Sequence, residues 1–115
     1  MKEDEFWSNL EWRLCSEFYG MADRHYQYLW CDGIYPIQYS LEAEPAQIIG
    51  RAWICNGAKQ ELWDFTLFLP GPTASVDAID WKSLIPAADR TCWIAVDRDR
   101  MRIEIEPAAA VPDLA

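Results

Sequence analysis

The residues of this 115-residue chain that most readily do chemistry are one histidine, His25, and four cysteines, Cys15, Cys31, Cys55 and Cys92. Histidine is the commonest general base, and a nucleophilic cysteine leans on one, so Cys15 or Cys31 with His25 is the arrangement an enzyme would use. No glycine-rich turn or nucleophile elbow accompanies them. A histidine packed among aromatics, and thiols buried as small apolar groups, fit these surroundings better. Zinc sites draw on close pairs of ligands, which these widely spaced cysteines lack, so no metal and no cofactor is expected. Asp97-Arg98-Asp99-Arg100 alternates its oxygens like a calcium loop, but it holds two arginines and lacks the glycine and distal glutamate. It is expected to be a charged hairpin turn.

Binding chemistry is better represented. The segment Tyr26–Tyr35 is dense in large aromatics beside Asp32-Gly33, so Trp30 and Tyr35 are candidate anchors, with Asp32 as a polar tip or an Asx turn. The same segment could instead line a small-molecule pocket under the N-terminal helix. Ten Lys and Arg face nineteen Asp and Glu, a net charge of −9. That balance opposes nucleic acid, whose phosphates call for basic groups, and anionic membranes. It suits a basic protein partner, since complementary fields speed encounter. Asp64, Asp97, Asp99 and Glu104 are the candidate steering charges.

These residues need elements to hold them. Phe6, Leu10, Leu14 and Phe18 recur every four residues, which predicts a helix over Asp4–Tyr19 with Gly20 at its end. Trp12 and Tyr19 widen its apolar surface, so its flanks are expected to be covered. A short helix or an aromatic loop follows over 22–30, then a turn at Cys31-Asp32-Gly33 and a short strand over Ile37–Glu42. Gln47–Leu69 is a hairpin around Asn56-Gly57, with Trp63, Phe65, Leu67 and Leu69 on one face and Asp64 and Thr66 on the other. Pro70-Gly71-Pro72 stops the ladder, and a helical turn is expected around Ala78–Leu84, pinned by Trp81 and Leu84. A last hairpin pairs 91–96 with 101–106, with Met101, Ile103 and Ile105 facing inward. The expected fold is α+β: an N-terminal helix packed on an antiparallel sheet of four to five strands, as one domain over 1–107 with a loose tail over 108–115.

The opening Met1-Lys2-Glu3-Asp4-Glu5 lacks a basic start followed by an apolar run, and no apolar stretch approaches membrane-spanning length, so a cytoplasmic protein is expected. The acidic balance, the Trp30-Cys31-Asp32-Gly33 stretch and the Trp81…Leu84-Ile85-Pro86…Trp93 spacing resemble the small immunity proteins that bacteria make against toxins, and uncharacterised bacterial α+β families of this size. The resemblance implies a non-enzymatic protein whose acidic surface occludes the basic cleft of a toxin such as a nuclease, and the sequence itself is compatible with a monomer or a homodimer.

Overall fold

The computed structural model describes residues 3–20, 29–84 and 92–107. Helix α1 (Glu3–Gly20) opens with Glu3, Asp4 and Glu5, which place negative charge at the positive end of the helix dipole. Its four-residue stripe of Phe6, Leu10, Leu14 and Phe18 is buried on the sheet, together with Trp7. The flanks are not covered as expected: Trp12 is 72% exposed and Tyr19 86%. These two lie seven residues apart, two helical turns, on the side away from the buried stripe.

The sheet has five strands: β1 (Leu29–Ser40), β2 (Gln47–Asn56), β3 (Lys59–Phe68), β4 (Cys92–Asp97) and β5 (Arg102–Pro107), in the order β1-β2-β3-β5-β4. The α+β class holds, but the sheet is mixed: β3 and β5 run parallel, while every other pair is antiparallel. After β3 the chain passes through a 3-10 turn (Val76–Ala78) and α2 (Trp81–Leu84), then takes the sheet edge as β4. The final turn brings β5 back between β4 and β3; β4 runs opposite to β3, so β5, which reverses against β4, lies parallel to β3. Trp81 and Leu84 are buried as expected, and the Trp81 ring lies 4.9 Å from Phe6.

The central hairpin forms as expected, and its register runs from Gln47↔Phe68 to Asn56↔Lys59. Gly57 has φ +63, as the primed two-residue turns demand at their first central position. Trp63, Phe65 and Leu67 are fully buried, and Asp64 points away from the core. Met101 departs from its expected place in the last strand. It occupies the turn before β5 with φ 53 and is 40% exposed, while Ile103 and Ile105 are buried.

The largest departure is β1. It starts at Leu29 rather than at Ile37, and Cys31-Asp32-Gly33 is not a turn. The register slips between Cys31 and Ile34 and again between Pro36 and Gln38, so two irregularities absorb residues that would otherwise break the ladder. Pro36 is tolerated because β1 is an edge strand. Helix α1 covers part of this edge: the Cys31 N–H donates to the Cys15 sulfur at 3.4 Å, and the Cys15 thiol lies 3.5 Å from the Cys31 carbonyl. One thiol thus occupies the two outward backbone groups of Cys31, which an edge strand would otherwise offer to a foreign strand. Near the other end of β1, the Tyr39 hydroxyl donates to Glu3, which also accepts from the Trp7 indole at 3.3 Å.

Residues 21–28, which include His25, Tyr26 and Tyr28, residues 85–91 and the tail 108–115 lie outside the described residues, and so do the expectations placed on them.

Candidate functional site

The sheet has one face under α1 and one face open among the described residues. Side chains alternate along β2 and β3, so Ile49, Arg51, Trp53 and Cys55 share the open face with Gln60, Leu62, Asp64 and Thr66. Cross-strand register aligns Tyr35, Arg51, Asp64, Arg102 and Asp97 in one row across all five strands. A neighbouring row joins Trp53 to Leu62, and another joins Ile49 to Thr66 and Glu104. Trp30 stands opposite Cys55 on the same face and is 56% exposed.

Of the seven residues singled out in the sequence, Trp30, Tyr35, Asp64, Asp97 and Glu104 are brought onto this open face. Their electrostatics differ from the expected acidic surface. Asp64 is bound to Arg51, Nε to Oδ1 at 3.3 Å, and has Arg102 on its other side in the register. Asp97 serves the hairpin turn: it accepts from the Arg100 N–H at 3.1 Å and lies 3.7 Å from the Arg100 guanidinium. Asp99 is an exposed residue of that turn. The open face therefore alternates in sign, and its middle is apolar.

Tyr35 does not stand upright from the sheet. A Cβ at Gly33, where φ is +129, would sit 2.5 Å from its hydroxyl and 2.9 Å from Cζ, so the phenol lies back over the glycine. The irregularity at Asp32-Gly33 provides that bare backbone. Asp32 itself is exposed. The Glu11 carboxyl is pushed up from the usual carboxylate range, first by burial and then by the charge of Asp32.

Around that seam the thiols are held neutral. Burial raises Cys15, and it raises Cys31 to about 12, with the neighbouring carboxylates of Glu11 and Asp32 adding to the effect. A neutral, buried thiol is a poor nucleophile and a poor metal ligand. Among the described residues no three His, Cys, Asp or Glu side chains are grouped to hold a metal ion.

The surface missed in the sequence is the free side of α1. The helix as a whole carries Glu3, Asp4, Glu5, Glu11 and Glu17 against Arg13, which sits 3.8 Å from Glu17, and of these Glu3 is turned to the sheet, where Tyr39 and Trp7 donate to it. Exposed Trp12 and Tyr19 rise from this acidic helix, and Asp32 adds a carboxylate beside Glu11. The signal was present as the seven-residue spacing of Trp12 and Tyr19, off the Phe6–Phe18 stripe. An aromatic pocket under the helix does not form from the described part of 26–35: Trp30 and Tyr35 point outward, while Leu29, Cys31 and Ile34 fill core. A cleft of about 340 Å³ lies elsewhere, between Pro70-Gly71-Pro72 and Ile79, Asp80 and Leu84. No helix among the described residues is long and apolar enough to cross a membrane.

Compared with protein-family models, with curated proteins and with solved structures, the chain finds no match.

Proposed function

We propose that this chain is a non-enzymatic protein-binding protein that holds a basic protein partner against the acidic, aromatic side formed by α1 and the β1 edge. The observation that carries this reading is the pair Trp12 and Tyr19, exposed on a helix with five carboxylates and one arginine. Large aromatics supply contact area at low entropic cost and dominate interface energetics, and surrounding charge sets encounter rate and orientation. Glu11 and Asp32 repel each other across the seam, so a lysine or arginine from a partner lowers their mutual cost. The immunity-type reading fits the same surface: an acidic protein blocking the basic cleft of a toxin such as a nuclease.

The test begins with a pull-down at low salt, eluted in salt steps, to identify the basic protein retained. Association with that protein is then followed by stopped flow. Glu11→Lys with Asp32→Lys should slow association about tenfold at low salt and flatten its salt dependence, while Trp12→Ala should speed dissociation. Unchanged on-rate, salt slope and off-rate in folded variants would remove this surface from consideration.

A further inference from the structure

The open sheet face on the opposite side has a different character, and it points to a different occupant. It is apolar in the middle, with Ile49, Trp53 and Leu62, and Leu62 is 39% exposed. Across it runs the row Tyr35, Arg51, Asp64, Arg102, Asp97, in which charges alternate. A strongly basic partner gains little from such a row, because each carboxylate already has an arginine beside it.

We propose that this face is the interface of a homodimer, two copies packing sheet on sheet about a two-fold axis that runs along the strands between β2 and β3. Such an axis places each residue of β2 over its own cross-strand neighbour in the second copy. Arg51 faces Asp64 of the second copy, and Asp64 faces Arg51 of the second copy. Trp53 meets Leu62, Ile49 meets Thr66, and Tyr35 falls towards Arg102, where a guanidinium over a ring is favourable. The registers Arg51↔Asp64, Trp53↔Leu62 and Ile49↔Thr66 make the face complementary to itself, which an isologous contact needs. Packed sheets cross at about 30°, so the match is closest near the axis, where these three pairs lie.

The area suffices. Strands about 4.8 Å apart, rising about 3.3 Å per residue, give five strands of this length a face of roughly 20 by 30 Å, or on the order of 600 Å² per copy before side-chain relief. Specific interfaces begin near about 1,000 Å² in total. A net charge of −9 on each copy opposes approach. Salt screens that long-range term while leaving the close pairs in place, so dimerisation strengthens as ionic strength rises from low values to about 0.15 M. Both α1 surfaces remain outward in such a dimer, so this inference stands apart from the reading of α1.

Sedimentation velocity and native mass spectrometry on four samples test it: the wild-type chain, Arg51→Asp, Asp64→Arg, and an equal mixture of the two variants. Each single variant sets like charges face to face twice, and its dimer Kd should rise on the order of a hundredfold. In the mixture every facing pair is again opposite in sign, so a one-to-one heterodimer should form with near wild-type Kd. Both positions are more than half exposed, so the variants should fold, as circular dichroism would verify. Leu62→Arg provides an independent monomer that leaves the ion pair intact. A wild-type chain that stays monomeric, single variants that still dimerise, or a mixture that does not recover would each overturn the proposal. None of these results bears on binding through Trp12 and Tyr19.

Discussion

Gly50 is the point where the fold tolerates least. It lies on β2 opposite Pro36 of β1 and Phe65 of β3, on the core side of the sheet. A Cβ added there would overlap the Tyr35 carbonyl oxygen, and it would come within 2.5 Å of the Phe65 Cζ. Carbon atoms in contact sit about 3.5–4.0 Å apart, so the Phe65 ring alone must retreat by at least ~1 Å. Phe65 is fully buried, with the Trp7 ring 5.6 Å away, and the other obstacle is backbone. Neither can rotate out of the way. Overpacking costs about 1–3 kcal/mol where side chains can shift, so Gly50→Ala should cost about 3 kcal/mol or more. At about 4 °C per kcal/mol for a domain near this size, the melting temperature should fall by about 12 °C. Gly57→Ala is the control: nothing lies within 4 Å of its Cβ, and only the φ of +63 resists, for about 1 kcal/mol. Urea unfolding followed by circular dichroism and tryptophan fluorescence measures both. If Gly50→Ala shifts the midpoint no further than Gly57→Ala does, the close approach of β1 and β2 has been misjudged.

Three further expectations follow from particular side chains. The Cys31 thiol keeps its proton to about 12 in the fold against 9.0 for an ordinary thiol. The folded state therefore binds that proton more tightly, and the contribution is intact below about pH 9 and lost as pH rises towards 12. Tyr39 is also pushed up, first by burial and then by its bond to Glu3, so the Cys31 share is the difference between wild type and Cys31→Ala in urea titrations across that window. An identical pH slope in the two proteins would contradict it. Tyr39→Phe removes the hydroxyl that donates to Glu3 and should cost about 1–2 kcal/mol of stability in the same assay, and a change below about 0.3 would leave that bond without weight. Trp12→Ala should leave stability within about 0.5 kcal/mol, whereas Trp63→Ala, fully buried, should lose about 3–5 kcal/mol; equal losses would mean that Trp12 is packed after all.

Much of the fold was legible because it rests on short-range periodicity. The spacing of Phe6, Leu10, Leu14 and Phe18 fixed both the helix and its buried side, and Trp63, Phe65 and Leu67 fixed the phase of β3. The parallel pairing of β3 and β5 was not legible, since which strand takes the sheet edge depends on the long connection between β3 and β4, and no local pattern encodes it. Nor was the neutralisation of Asp64: Arg51 reaches it only because β2 and β3 pair in this register, thirteen residues apart in sequence.

The candidate site was misread at Asp32-Gly33, and the reason is physical. Strand side chains have a period of two, so one inserted irregularity reverses every later assignment of face. Treated as a turn, that dipeptide joins Trp30, Asp32 and Tyr35 in one patch with the acids of the outer sheet. Treated as an irregularity inside β1, it keeps Trp30 and Tyr35 on the open face, while the charge of Asp32 is felt by Glu11 on the helix. The surface imagined from composition as both acidic and aromatic is therefore two surfaces on opposite sides of one sheet. One alternates in charge along its central row and is self-complementary there, and the other is acidic and carries Trp12 and Tyr19. A substitution that regularised β1, such as replacing Gly33 with a residue unable to hold φ +129, should displace Tyr35 and disturb the open face while leaving Trp12 and Tyr19 as they are, because Asp32-Gly33 sets the phase of β1 and not of the helix.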